Sequence, residues 1–332
     1  MSAPSEEFDF LPTASWDSLR RRAELLAQLR RFFTTRGFLE VETPLLSAEV
    51  VVDRHLDPFA TQYIPAGAAA SATGSPLWLQ TSPEAAMKRL MAAGGEAIFQ
   101  VTRSFRNGER GRLHNPEFTL VEWYRRGDDL QPGMQLLCEL VQTLLATPLA
   151  ELLSYGDAFA RYCGFDPHQA DVAEIAAAAR RAGIAPPPGF ETADRDSWLQ
   201  LLLAERIEPQ LGQSAPTLLY HYPPSQAALA QVDLGPPPVA ERFELYVQGV
   251  ELANGFHELR DASVLRERME HENAGRRLEG KQALPGPQRL LSAMEHGLPD
   301  CCGVALGFDR LVMLALGAQS IDEVIAFPID RA

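Results

Sequence analysis

Apolar positions recur at helical spacing from Trp16 to Arg36, with Leu19, Leu25, Leu26, Leu29, Phe32 and Phe33 on one face and arginines on the other. The pattern predicts an amphipathic helix that Gly37 ends. Phe38 to Leu46 alternates instead and predicts a strand halted by Pro44. Short strands are expected around Leu56 to Tyr63 and Leu77 to Gln80, then a helix from Pro83 to Met91 with Ser82 as N-cap, and a strand over Ala97 to Phe105. A charged turn follows, and the chain returns as an antiparallel strand. Period-two alternation puts Phe118, Leu120, Glu122 and Tyr124 on one face and Thr119, Val121 and Trp123 on the other.

Leu130 to Ala182 is helical in pattern up to the Pro-rich IAPPPGF, and Arg195 to Ile207 is a further amphipathic helix. Residues 130–215 therefore read as a helical insertion in a single domain spanning 1–332. Strands return at Thr217 to Tyr222 and Arg242 to Gln248, a charged helix is expected over Ala262 to Leu278, and Cys302 to Leu306 is the last strand. Gly307 to Gly317 closes the pattern as an apolar helix. Antiparallel strands at both ends of the chain, with helices between and around them, indicate an α+β fold with an antiparallel sheet flanked by helices. No repeat, GxxxxGK[ST] loop or GxGxxG element occurs in the sequence, so a nucleotide would be held by side chains projecting from the sheet.

Composition narrows the function classes. With 44 acidic against 30 basic residues the 332-residue chain carries a net charge of -14, which argues against general affinity for phosphate backbones and against tRNA as a partner. Cys138, Cys163, Cys301 and Cys302 show no CxxC pairing or histidine partner at ligand spacing, so buried thiols are expected in place of a metal-thiolate site. The N-terminal MSAPSEEFDFLPTASW has no basic region followed by an apolar core, and no apolar run reaches the length of a membrane span. The expectation is a cytoplasmic protein with no membrane association.

The candidate chemistry lies in FRNGERGRLHNPEFTLVEWY, which gathers cations on a turn and acids on the strand leaving it. Joining a carboxylate to a nucleotide phosphate brings two anions together and needs fixed cations around the reacting phosphorus. A dibasic acid needs anions at both amino groups. Glu84 after Ser82 and Pro83, the Glu122 and Tyr124 pair, and Glu258 supply them. Glu244 and Glu251 flank the turn at Gln248-Gly249, a spacing that fits two oxygen ligands for Mg²⁺ on neighbouring strands or two solvated strand carboxylates.

Three segments, FLEVETPLL, FRN(x6)HNPEFTLVEWY and GVALGFDRLVML, match in order and spacing the three motifs of class II aminoacyl-tRNA synthetases. With TSPEAAMKRL and RFELYVQGVELANGFHEL they resemble the lysine branch, over about residues 16 to 332. Within that branch the nearest resemblance is to the short ligases that attach β-lysine to elongation factor P and lack an anticodon-binding domain. No such domain is expected before the first motif here. The resemblance implies ATP and Mg²⁺, with lysine or β-lysine as the amino acid and elongation factor P as acyl acceptor. It also implies a homodimer formed through Trp16 to Arg36 and Phe38 to Pro44.

In the same sense it implies residue roles. Arg106 would bridge the substrate carboxylate and α-phosphate as the catalytic residue. Asn107, Gly108, Glu109, Leu252 and Gly307 would line the ATP site. His114 and Arg310 would reach the γ-phosphate, Asn115 the adenine, and Phe118 would stack on it with Arg310 on its other face. Glu244 and Glu251 would hold Mg²⁺. Ser82, Pro83, Glu84, Glu122, Tyr124, Asn254, Glu258 and Ala305 would contact the amino acid, Glu258 and Tyr124 at the side-chain ammonium, Glu84 and Glu122 at the other amino group and Asn254 at the carboxylate. The sequence departs from the family at Gly108, where an acid is usual, and at Leu113, where arginine is common; Glu109 and Arg112 stand beside them as substitutes. Ala305 replaces the glycine of ordinary lysyl synthetases, a change the short ligases share, and one methyl at a pocket floor is worth about 1 to 3 kcal/mol of discrimination. A tRNA-charging enzyme and a non-catalytic regulatory paralogue remain the alternatives.

Overall fold

The computed structural model describes residues 10–68, 73–187, 190 and 194–332. Residues 1–9 of the acidic N-terminal stretch and 188–189 of the Pro-rich turn lie outside the described residues. The chain runs through α1 (Trp16–Thr34), β1 (Leu39–Glu40), β2 (Leu46–Ser47), β3 (Ala60–Tyr63), β4 (Ser75–Leu79), α2 (Glu84–Ala92), β5 (Ala97–Phe105) and β6 (Glu117–Arg126). It continues with α3 (Leu130–Leu145), β7 (Glu151–Ser154), α4 (Tyr155–Cys163), α5 (Val172–Arg181) and α6 (Arg195–Leu202). Then come β8 (Thr217–Tyr222), β9 (Val232–Asp233), β10 (Val239–Val247), β11 (Val250–His257), α7 (Ala262–Leu278), α8 (Gln288–Gly297), β12 (Cys301–Gly307) and α9 (Phe308–Leu316). Two compact units result: Met1–Arg126 with Asp261–Pro299 and Gly307–Ala332, and Gly127–Arg260 with Asp300–Leu306.

In the first unit β5 and β6 pair antiparallel from Ala97↔Arg125 to Phe105↔Glu117, and β1 lies parallel to β5. One face of this sheet is apolar because the alternation puts Phe99 and Trp123 there. Phe33 of α1 stacks on Phe99 at 4.7 Å and meets Trp123 at 5.1 Å, and burying such a ring is worth about 1.5–3 kcal/mol. The hydroxyl of Ser15 caps α1 by accepting from the Ser18 amide at 3.0 Å. A buried ion pair then ties three segments together. Arg22 of α1 reaches Asp309 of α9 at 2.6 Å, and Asp309 accepts the amide of Thr119 on β6 at 2.7 Å.

In the second unit the strand order is β12-β11-β10-β8-β7, with β9 beside β10. Neighbours are antiparallel except β7 and β8. The helix α3 packs on β11, and Gly133 permits the approach, since a Cβ there would lie 2.1 Å from the Cys302 sulfur. Helices α4, α5 and α6 bury Tyr155, Phe159, Ile175, Trp198 and Leu199 with Leu219 and Tyr246 of the strands. The insertion expected at 130–215 lies inside this unit.

The α+β class agrees with the sequence reading, and several strands agree to the residue; four local expectations change. The alternation of Phe38 to Leu46 yields only a two-residue strand whose residues are both exposed. The Val41 amide still bonds the Phe99 carbonyl at 2.9 Å, after which the Thr43 hydroxyl donates to the Gln100 side chain at 2.9 Å and the chain leaves the ladder. Ser82 does not cap α2: Pro83 holds the N-cap position, and the Ser82 hydroxyl accepts the Glu84 amide only at 3.4 Å. The helical run 130–182 is broken by β7, and α8 was not expected at all. Of the four cysteines, all free, Cys301 and Cys302 are buried and Cys138 and Cys163 half-buried. Among the described residues no helix is long and apolar enough to cross a membrane.

Candidate active site

The predicted residues of the first unit gather on β6, the loop before it and the start of α9. The loop is organised by its backbone. The Arg106 amide donates to the Pro116 carbonyl at 2.9 Å, and Gly111 and His114 exchange amide bonds at 3.0 and 3.2 Å. Gly108 has φ of 85° with nothing within 4 Å of where a Cβ would sit, so backbone conformation explains the glycine found where the family has an acid.

Three arginines on this loop have different tasks. Arg110 is fastened to Asp322 at 2.8 Å and Asp330 at 2.6 Å, and Arg112 donates to the Gln319 carbonyl at 3.3 Å. Arg106 has only Glu109 at 3.9 Å, lies 5.0 Å over the Phe118 ring, and its buried Nε has no hydrogen-bond partner. It is the loop arginine with donor capacity in reserve. The guanidinium over Phe118 in this structure is thus that of Arg106, whereas the family resemblance sets Arg310 beside the adenine.

Arg310 instead sits 2.6 Å from His114 Nε2 and donates to the Leu113 carbonyl at 3.3 Å. Leu113 therefore contributes through its backbone, which any side chain at that position can do. Partial desolvation and the Arg310 charge lower the His114 pKa; the ring is exposed, which makes the guanidinium contact the firmer cause. A neutral imidazole next to Arg310, with Arg106 also close enough to lower its pKa, makes a ready cradle for an anion. Asn115 is buried. Its amide nitrogen donates to the Glu117 carbonyl at 2.6 Å and its oxygen accepts the Ile329 amide at 3.0 Å, leaving one N–H for a base. Gly307 supplies the N-cap of α9.

The acids of this unit are buried. Glu122 faces Gln100 across the ladder and accepts the Tyr124 hydroxyl at 2.6 Å, so the two share a face as predicted. Pro83 is buried and Ser82 half-buried at the entrance to α2. Glu84 holds a partner that sequence reasoning missed, the ammonium of Lys88 at 2.5 Å. A lysine four residues after a glutamate on an otherwise apolar helix face was the available signal.

In the second unit a single row crosses three strands. Glu244 on β10 is opposite Asn254 on β11, which is opposite Ala305 on β12. Directly opposed residues project to the same side. A bulge between Leu245 and Tyr246 takes up Leu252 as its extra residue and pairs Tyr246 with Glu251. That shift brings Glu251 onto the face of Glu244 and Asn254, which an unbroken ladder would not. Glu258, buried, follows Asn254 at even spacing on the same side. Gly255 leaves room for a ring, since a Cβ there would lie 2.3 Å from Phe243.

Glu244 is held by groups that sequence reasoning missed. One oxygen takes the Arg242 guanidinium, and the other accepts the hydroxyls of Tyr222 at 2.6 Å and Tyr246 at 2.5 Å. Burial and the adjacent carboxylate push both tyrosines far above their ordinary range, so they remain donors. A carboxylate has about four lone-pair sites, and the three bonds leave one, on the oxygen facing Arg242. Glu244 thus fits a metal through one bond, with Glu251 as second carboxylate and the buried, unpartnered Asn254 oxygen nearby in the row. Among the described residues no three acidic, histidine or cysteine side chains gather to hold a metal by themselves. A Mg²⁺ here would complete its shell with phosphate oxygens and water, as this ion commonly does.

The family comparison agrees with this geometry. Residues 9–331 match the family model described as tRNA synthetases class II (D, K and N), and the chain belongs to that family. Membership supports an aminoacylation-type ligase activity and use of ATP with Mg²⁺.

Proposed function

We propose that this chain activates (R)-β-lysine with ATP and transfers the acyl group to a lysine side chain of elongation factor P. A carboxylate oxygen of the amino acid attacks the α-phosphorus, the bond to the β-phosphate oxygen breaks, and pyrophosphate leaves. The acceptor amine nitrogen then attacks the acyl carbon, AMP departs and the amine loses a proton. Arg106 spans the two anions in the first step, and His114 with Arg310 receives the outer phosphates. Glu122 with Tyr124, Glu84 and Glu258 take the two ammonium groups. Glu244 and Glu251 would hold Mg²⁺, which neutralises phosphate charge when bound.

The observation that carries this reading is the row Glu244, Asn254 and Ala305 with Glu258 on its face. It joins a carboxylate-binding amide, an ammonium-binding acid and the one methyl that distinguishes this chain from an ordinary lysyl synthetase. The exposed apolar residues Leu39, Leu45 and Leu46 beside α1 support a homodimer, for which a sedimenting dimer at micromolar concentration is expected and a monomer alone is the contrary result. A second reading, charging of tRNA, is favoured by the description of the matched family. Incubation with ATP, labelled lysine isomers and each acceptor separates them: label on elongation factor P is expected, and label on tRNA alone rejects the proposal.

A further inference from the structure

The buried face of α2 consists of Met87, Lys88 and Met91. Two methionines and a lysine is an odd set. Lys88 is 2% exposed, yet taking an ammonium out of water costs several kcal/mol, and an apolar side chain of similar length would fill the position without that cost. What the ammonium does that a methyl group would not is bind Glu84, one turn earlier on the same helix, at 2.5 Å. The Glu84 side chain is itself only 13% exposed. One carboxylate oxygen is therefore committed inward, and the other points in a direction that the helix dictates. The helix packs on β6, the strand of Glu122 and Tyr124.

We propose that Lys88 is a positioning residue that aims Glu84 at the substrate amino group and so sets which carbon may carry that group. The inference rests on the reading above, in which Glu84 meets the amino group nearer the carboxylate. A carboxylate free to swing follows an amino group moved by one carbon; one clamped by a buried ammonium does not. Clamping turns a general attraction for cations into discrimination between isomers.

The test is pyrophosphate exchange by the full chain as wild type, Lys88→Met and the double variant Glu84→Gln with Lys88→Met. Each is assayed with α-lysine and both β-lysine enantiomers, and KM for ATP is recorded alongside. For Lys88→Met the proposal expects KM for the preferred isomer to rise about tenfold and the kcat/KM ratio between isomers to shrink about tenfold. KM for ATP should stay within about twofold. The double variant removes the unpaired carboxylate, so it tests the same point should the single variant fold poorly. It should melt near wild type and still lack discrimination. An isomer ratio kept at the wild-type value in either folded variant overturns the proposal, as does a loss in which both KM values and the melting temperature move together while the ratio holds. Wild type that exchanges with no lysine isomer rejects the functional reading first, an outcome distinct from an active wild type with indifferent variants.

Discussion

Arg106 and Glu244 are the charged residues on which the two candidate sets turn, and they are held in opposite ways. Arg106 stands in a loop fixed by backbone bonds, with a buried Nε that bonds nothing and a distant carboxylate at 3.9 Å. Glu244 lies in a strand with an arginine and two tyrosine hydroxyls on its oxygens. The first has its hydrogen bonds still to make. The second has made nearly all of them, and its position is fixed before any ligand arrives. A transition-state anion is best met by donors in reserve on a rigid frame, whereas a metal bound through one oxygen is best met by a carboxylate that cannot turn.

This contrast predicts that the two residues fail differently when cut back. Glu244→Ala leaves Arg242 buried without its counter-charge, and should lower unfolding free energy by about 3–5 kcal/mol, read from the urea midpoint. Arg106→Ala should leave that midpoint within about 0.5 kcal/mol and lower the exchange rate about 10² to 10³-fold. If the two variants lose the same stability, the distinction is void. Tyr222→Phe sharpens it: one donor to Glu244 is removed, and a loss of about 1.5–3 kcal/mol is expected, with any further loss in exchange relieved by raised Mg²⁺. The smallest effect concerns His257 of the second unit. Burial alone would lower its pKa, but bonds to Glu241 at 2.6 Å and Asp300 at 3.0 Å raise it on balance. A folded-state pKa above the unfolded value gives stability that is full below the unfolded pKa and is lost as pH rises through the folded one. Wild type should therefore gain stability over His257→Gln when unfolding is compared at pH 6 and pH 8, and an equal difference at both values would contradict the assignment.

The strands carrying these sets were legible because period-two alternation is strong in them: Ala97–Phe105 and Thr217–Tyr222 agree to the residue, and Glu122 shares its face with Tyr124 as alternation requires. Alternation misled at Phe38 to Leu46, where the pattern is present but pairing stops after two residues. Cross-strand order was not legible. Nothing local in the sequence announces that Glu244, Asn254 and Ala305 stand in line, or that a bulge turns Glu251 to their side. Nor does spacing sort Arg106 from Arg110, since the difference is made by Asp322 and Asp330, more than two hundred residues away. The partners of Glu84 and Glu244 were missed for a related reason. Lys88, Tyr222 and Tyr246 looked like helix and strand filler until the fold showed which carboxylate each one serves.

The most direct measurement is pyrophosphate exchange by the purified wild-type chain with ATP and Mg²⁺, comparing α-lysine and both β-lysine enantiomers. The account predicts exchange that depends on a lysine isomer, is greatest with (R)-β-lysine, and disappears in Arg106→Ala. Exchange with none of the three, or exchange undiminished in Arg106→Ala, would contradict it.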